Sequence, residues 1–395
     1  MKWKLLIYSH VFAPSVGGVE SITMTLAEGL ADWWKAHPQE NIEVTVATQT
    51  AAGGADDARF PFAIVRKPGL RGLIRLVGNA DAVHLAGPAL WPLALGRLLR
   101  KPVFVEHHGC QAACPNGLLF FEPAQAPCPG HYMAGRYGEC LRCNRESVGR
   151  VKSARMLAST PVRRWLTNRV AANITPTKWL ETVLKLKRMT TIYHGIPELS
   201  GETIPREGPA KIAYMGRMVS SKGVPILIEA AEKLRDEGLS FHLKMIGGGP
   251  EIESMKSKAR EKLQGTIEFF GAVAPDRLEE ILRDVDTVVL PSLGGEVFGL
   301  VAAENMLRGK LLIVSDIGAL GEVIGNTGLV FQASDAKDLA RCLRQAIEKP
   351  GLAAKMGAAA RARALEEFTR SHMIERHISV YKEIWDRSSG DRAVN

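Results

Sequence analysis

Short apolar runs of strand length alternate with amphipathic runs of helix length along most of this chain, and no other feature constrains its fold as much. Residues 4–8, 18–34 and 42–48 set the pattern, the rhythm of β-α-β units wound around a parallel sheet. The rhythm restarts after residues 196–201, a stretch with Pro, Gly and Ser, and runs through 211–215, 224–237, 242–246, 287–290 and 311–315. The predicted fold class is therefore α/β, with two Rossmann-like domains on parallel sheets and a boundary near 197–208. The first domain is expected over 1–197 and the second over 205–370. A last helix follows in 371–395, where Met373, Ile374, Ile378, Val380, Tyr381, Ile384 and Trp385 recur near the helical period and need a surface to dock on. Between about 110 and 150 the rhythm fails, and Gly, Pro and Cys mark an insertion in the first domain. A chain of 395 residues is long enough for two cores of this kind.

Hydrophobic residues make up 46% and charged residues 24%, which excludes a disordered, collagen-like or coiled-coil chain. Lys and Arg total 51 against 42 Asp and Glu, and the first 200 residues hold 24 basic and 14 acidic side chains. The positive field thus belongs to the first half. It suits an anionic partner, and charge alone does not separate a phospholipid leaflet, an acidic polymer and nucleic acid. The first ten residues carry two lysines, but the apolar run stops after Tyr8 with no small-residue cleavage site, so they read as a buried strand and not as a signal. The most apolar stretch, 82–99, is broken by His84, Gly87, Pro88, Pro92, Gly96 and Arg97 and falls short of the ~20 apolar residues a spanning helix needs. The expectation is a cytoplasmic chain whose membrane contact, where it exists, is peripheral and on the inner face.

The sharpest chemical signal is residues 291–304, which follow a strand and lead into a helix. Gly294, Gly295 and Gly299 precede that helix, so the amides of Phe298, Gly299 and Leu300 can face an anion. Glu296 on the loop and Glu304 on the helix can accept hydrogen bonds from hydroxyls near and farther from a phosphate; a solvated loop Glu and a helix-surface Glu are the plain alternative. Residues 214–224 repeat the strand, glycine, loop and helix order, with Arg217 and Lys222 five apart, able to clamp a diphosphate as fork and point charge. Two ordinary surface cations would look the same. Residues 245–251 hold three glycines that read as a tight turn. In the first half, Gly17 and Gly18 follow the first strand without the third glycine of a dinucleotide fingerprint, and His107 and His108 close another strand. A histidine there can orient a sugar hydroxyl or phosphate, or merely satisfy backbone.

These residues resemble family 4 of the retaining glycosyltransferases, with GT-B architecture. The resemblance covers nearly the whole chain through Gly17-Gly18, His108-Gly109, Gly216-Arg217 with Lys222-Gly223, residues 247–249, Phe270-Gly271, and Glu296 followed by Glu304. It implies sugar transfer from a nucleotide-sugar donor of UDP or GDP type, with retention at the anomeric carbon and no cofactor or divalent metal required for catalysis. It implies Arg217 and Lys222 on the donor diphosphate, Glu296 on the sugar, and Glu304 on ribose. His108 would join the catalytic set. Gly17, Gly18, Phe298, Gly299 and Leu300 would complete the seat, and Gly271 and Val273 would meet the base. The last helix would cross back to the first domain. The chain departs from the pattern at His194-Gly195, where Asn often precedes Gly, and at Gly321, where Pro often precedes Glu322.

Five of six cysteines lie in the insertion. Four thiolates with one close Cys-x-x-Cys pair suffice for a structural Zn²⁺. Disulfides, an iron–sulfur cluster and free thiols are the alternatives, and His131 could replace one ligand. Cys114, Cys128, Cys140 and Cys143 resemble the cysteine-bearing insertion of a subset of these transferases and form the expected ligand set. Cations interleave with apolar residues over 66–77, and Arg150, Lys152, Arg155, Arg163, Arg164 and Arg169 crowd around Met156, Leu157 and Trp165. Either stretch suits an anionic leaflet, or is a solvated basic face. The expected acceptor is a glycan or a lipid-linked molecule of cell-surface polysaccharide or glycolipid synthesis, with no nucleic-acid partner. A sugar-nucleotide epimerase of similar fold and a non-enzymatic binder of anionic lipid or nucleic acid are the rival readings.

Overall fold

The computed structural model describes residues 3–40, 42–54, 56–199, 208–260 and 262–393. The chain divides into two compact units. The first comprises Met1–Gly117, Gly130–Pro197 and Phe368–Asn395, and the second Leu118–Pro129 and Glu198–Glu367. Most of the boundary expected near 197–208 lies outside the described residues.

In the first unit seven strands form one parallel sheet: β1 (Trp3–Ser9), β2 (Ile42–Thr48), β3 (Ala63–Arg66), β4 (Ala82–Ala86), β5 (Val103–Glu106), β8 (Ala172–Thr175) and β9 (Met189–Thr191). Their spatial order is β3-β2-β1-β4-β5-β8-β9, and Leu5 pairs with Val44 on one side and Ala82 on the other. Leu5, Leu6 and Ile7 are all buried, as a strand covered on both faces requires, and this is why β1 reads as a continuous apolar run and not as an alternation. The helices are α1 (Gly18–Ala36), α2 (Leu70–Asn79), α3 (Leu90–Leu98), α4 (Tyr137–Val148), α5 (Arg150–Thr167), α6 (Lys178–Leu184) and, after the second unit, α14 (Arg370–Ala393). The apolar stripe of α14 seals this core. Tyr381 packs on Phe104 with ring centres 4.8 Å apart, and Trp385 meets Trp3 at 4.4 Å.

The second unit holds a six-stranded parallel sheet in the order β12-β11-β10-β13-β14-β15. The strands are β10 (Ala210–Met215), β11 (Phe241–Ile246), β12 (Ile267–Gly271), β13 (Thr287–Leu290), β14 (Leu311–Ser315) and β15 (Leu329–Phe331). Around them lie α7 (Val224–Asp236), α8 (Ile252–Arg260), α9 (Pro275–Leu282), α10 (Leu300–Leu307), α11 (Leu320–Ile324), α12 (Ala336–Glu348) and α13 (Pro350–Glu367). Asp335 caps α12 by accepting from the amides of Lys337 and Asp338, satisfying donors that a helix start leaves open. Buried Tyr214, Leu227, Leu243, Val289 and Leu339 belong to one core cluster.

One expectation needs correction. The insertion of 110–150 does not sit as a whole in the first unit, because Leu118–Pro129 groups with the second. This stretch forms a small antiparallel hairpin of β6 (Phe120–Phe121) and β7 (Ala126–Pro127), and the Leu118 carbonyl accepts from the Gly295 amide at 2.7 Å. Nor does the insertion lack regular structure, since α4 occupies 137–148.

Candidate active site

In both sheets the strand order reverses beside the first strand of the unit while every strand stays parallel, and in open α/β sheets ligands bind outside the carboxyl ends of strands at such a switch point. In the second unit β10 and β13 flank the switch, and the residues singled out from sequence follow the carboxyl ends of these and neighbouring strands. Arg217 and Lys222 follow β10, Gly271 ends β12 and Val273 follows it, and Glu296, Phe298, Gly299 and Leu300 follow β13, with Glu304 on α10. Backbone packing holds these loops. The Met218 amide donates to the Gly248 carbonyl at 2.9 Å, the Gly247 amide to Gly271 at 2.8 Å, and the Gly294 amide to Ser221 at 2.9 Å. A Cβ at Gly223 would strike the Pro291 carbonyl, and one at Gly249 the Met218 carbonyl. Glu251, at the end of the three-glycine turn, accepts from the Ser220 amide at 2.8 Å and holds the turn that carries Lys222. That role is invisible in sequence, where 245–251 reads only as a turn.

The Lys222 ammonium donates directly to Glu296 Oε1, which also accepts from the Ser292 hydroxyl at 2.9 Å. Burial alone would push this carboxyl up, but the Lys222 charge, its hydrogen bond and that of Ser292 together outweigh it and hold Glu296 below the usual carboxylate range. The Glu296 backbone is fixed too, its carbonyl accepting from the Ala319 amide at 2.8 Å. Arg217 is exposed on the same loop as Lys222. Glu304, one turn inside α10, has its carboxyl pushed up by burial, with Arg308 opposing. Gly299 sits at φ 88° just before the helix, a conformation that favours glycine, and the first amides of α10 open from this edge.

In the first unit, Gly17 precedes α1 with extended backbone, and Glu20 in the first turn accepts from the Ser15 hydroxyl at 2.9 Å. The end of β5 carries a feature missed from sequence. Glu106, 1% exposed, faces four imidazoles: His84 Nε2 at 3.0 Å, His194 Nδ1 at 3.4 Å, His377 Nε2 at 3.8 Å and His108 Nε2 at 3.9 Å. Burial pushes the Glu106 carboxyl up, yet the surrounding histidines outweigh it and hold it well below its ordinary range. Tyr381 Oη lies 2.8 Å from His84 Nδ1, extending the network to α14. Donor atoms of Glu106, His108 and His194 lie within 4.8 Å of one another, but the two imidazoles stack with ring centres 5.2 Å apart and planes 22° from parallel. Hydrogen-bond and close charge contacts to this one carboxylate gather the imidazoles into a buried hub.

Cys114, Cys140 and Cys143 are buried, and Asn116 lies between two of them, 3.0 Å from Cys114 Sγ and 3.8 Å from Cys143 Sγ. Cys128 lies on the stretch grouped with the second unit. Of the basic residues expected to crowd one face, Arg163 and Arg164 are not free surface charges. Arg163 donates to the Pro88 and Gln111 carbonyls, and Arg164 to those of Ala112, Leu184 and Lys185. They tie α5 to neighbouring loops.

Residues 196–363 match the sequence model of the family described as "Glycosyl transferases group 1". Glycogen synthase of Mycobacterium tuberculosis is 35% identical over 167 residues, spanning 42% of this chain and 40% of that protein. The chain thus aligns with between two fifths and just over half of the length of the curated relatives it matches. Among solved structures, sucrose-phosphate synthase from Thermosynechococcus elongatus superposes with a TM-score of 0.72 at 17% identity, covering 98% of this chain and 100% of that one. HepE of Anabaena, crystallised with UDP and glucose, gives a TM-score of 0.71 at 16% identity over 96% of this chain and 100% of its own. In sequence, then, residues 196–363 match the group 1 glycosyl transferases, and the two-sheet α/β fold of such proteins extends over nearly the whole chain.

Proposed function

We propose that this chain is a retaining glycosyltransferase that moves a sugar from a nucleotide-sugar of UDP type to a glycan or lipid-linked acceptor in cell-surface polysaccharide or glycolipid synthesis. The observation that carries the reading is the Lys222–Glu296 pair at the switch point of the second sheet, inside the stretch that matches the family. Breaking a sugar–phosphate bond develops positive charge on the sugar and negative charge on the departing diphosphate. Arg217, Lys222 and the first amides of α10 stabilise that diphosphate. Glu296 accepts hydrogen bonds from donor-sugar hydroxyls, Glu304 accepts from ribose, and His108 orients the sugar from the first unit. Gly17 and Gly18 complete the phosphate seat, and the Gly271 and Val273 backbone meets the base. The acceptor oxygen attacks the face the diphosphate leaves, and the leaving phosphate oxygen takes the acceptor proton, so the configuration is retained. A HepE structure with UDP and glucose supports the choice of base.

A structural Zn²⁺ on Cys114, Cys128, Cys140 and Cys143 belongs to the same reading, since Cys114, Cys140 and Cys143 are buried and four thiolates suit that ion; zinc content near one per chain would support it, and a metal-free, fully folded protein would remove it. The outward face of α2, where Leu70, Arg71, Ile74 and Arg75 are exposed, is proposed as a peripheral contact with an anionic leaflet at the cytoplasmic membrane face. Among the described residues no helix is long and apolar enough to cross a membrane. The test of the function is a thermal-shift comparison of UDP, GDP and ADP, followed by transfer assays with the sugar of the stabilising nucleotide. A ligand at 100 times its Kd stabilises the fold by about 2.7 kcal/mol, a readable shift. Stabilisation by UDP alone supports the reading, and no response to any nucleotide overturns it.

A further inference from the structure

The amino ends of β5, β8 and β9, opposite the edge that carries His108, border a cavity of about 940 Å³. Its lining includes five cations, Arg97, Arg100, Lys101, Arg169 and Arg188, and a single carboxylate, Glu383. Among the described residues none of the five forms an ion pair. Arg188 donates to the Val170 carbonyl at 2.9 Å, and Arg97 and Arg169 lie over the Trp165 ring at 6.0 and 4.1 Å. Elsewhere the fold neutralises close cations, as where Lys211 and Lys244 share Asp284 at 2.6 and 2.7 Å. Helix C-termini favour cations, which accounts for Arg97 at the end of α3 and Arg169 just after α5, but not for Arg100, Lys101 and Arg188. The floor between the cations is apolar, with Leu93, Val103, Leu166 and Val170 buried and Val380 and Ile384 from α14 beside them.

We infer that this groove binds the phosphate headgroup of an anionic lipid, the guanidinium forks of Arg100, Arg169 and Arg188 holding the phosphoryl oxygens and the floor taking the first methylenes of the tail. Guanidinium forks match phosphate geometry, and a volume below ~1,000 Å³ is that of a small-ligand cavity. The half-exposed Trp165 beside Arg169 suits the boundary between head and tail. From Lys101 through β5 to His108 the chain advances seven steps, roughly 23 Å at ~3.3 Å per residue, so this ligand is neither the donor nor the reacting end of the acceptor. The inference is independent of the proposed transfer activity.

The test is calorimetric titration of the full chain with dihexanoyl phosphatidic acid below its micelle concentration, dihexanoyl phosphatidylcholine and inorganic pyrophosphate. Arg100→Glu/Lys101→Glu is the groove variant, because neither side chain has a structural partner that its loss would break. Lys337→Glu/Lys355→Glu, at two exposed lysines of the second unit, is the charge-matched control. Phosphatidic acid is expected to bind, the groove variant to weaken it at least tenfold at an unchanged melting temperature, and the second-unit variant to bind as the parent does. Equal weakening by both variants, or equal binding of phosphatidylcholine, would overturn the groove as an anion site. Pyrophosphate binding as tightly as phosphatidic acid would overturn the lipid and leave a soluble phosphate as occupant. Should the groove variant melt early, Arg100→Gln/Lys101→Gln gives the same reading without charge reversal.

Discussion

Lys222 and Glu296 answer each other so directly that each variant tests the other. Under the proposed transfer reaction, Glu296→Ala removes the acceptor for sugar hydroxyls, and it takes from Lys222 its carboxylate partner. We expect kcat to fall about 100-fold or more, the range seen when one preorganised group is removed, and full transfer activity in this variant would remove Glu296 from the site. Lys222→Ala should act mainly on donor affinity, reducing the thermal shift produced by UDP. The pair was legible because glycine, cation and carboxylate recur at short spacing after predicted strands. Glu106 was not, because His84 and His377 reach it from β4 and α14, far away in the chain, and nothing local marks a carboxylate as their common partner. Arg163 and Arg164 were misread for a related reason: a sequence does not reveal that carbonyl groups stand in front of a cation.

The Glu106 hub also sets a pH dependence with a definite sign. Burial holds His107 neutral down to about 4 and His108 to about 3, whereas both take up protons near 6.5 once unfolded. Between those values the unfolded chain binds more protons, so stability falls as pH drops. Glu106 acts in the same direction at lower pH, since its carboxylate persists in the folded state below the pH at which the unfolded one is protonated. The melting temperature is expected to decline from pH 6.5 toward 4, and less steeply in His107→Gln. A flat profile from pH 7 to 5 would show that burial does not hold His107 and His108 neutral.

At the scale of elements, glycine contacts divide into two kinds with opposite predictions. Gly223, at φ 66° with the Pro291 carbonyl where a Cβ would stand, lets the β10 and β13 loops meet, and Gly223→Ala should cost about 2–3 kcal/mol in urea unfolding. Gly321 lies inside α11 with nothing near a built Cβ, so Gly321→Ala should stabilise by about 0.5–1 kcal/mol. Sequence marked Gly223 as part of a family-like motif and Gly321 as a departure from the pattern, but showed for neither what stands where a Cβ would be. It revealed α14 through an apolar stripe at helical spacing and missed α4, whose buried face is Cys140, Cys143 and Asn144, two thiols and an amide where periodicity looks for leucine. The fold class was legible because buried parallel strands must be continuously apolar. The allegiance of Leu118–Pro129 was not, because it rests on backbone hydrogen bonds such as that from Gly295 to Leu118.

For the molecule as a whole, α14 is the piece whose loss should be felt farthest from where it lies in sequence. Removing 368–395 strips Tyr381 from Phe104 and His84, and Trp385 from Trp3. Hydrogen exchange of the truncated chain should show protection lost across β1, β4 and β5 and kept in β10, β13 and β14. Protection retained in the first sheet would mean that α14 decorates that core without completing it. Residues 198–367 leave and rejoin the first unit at one seam, where the Ile196 amide donates to the Phe368 carbonyl at 2.8 Å and the Gly195 amide meets Met373 Sδ at 3.1 Å. On the ribosome this seam reverses the usual order of events. Residues 3–197 emerge early but wait for their last helix until the second unit has been made, so the half synthesised later is the first that can finish folding, and the half synthesised first is the one a chaperone would have to shelter.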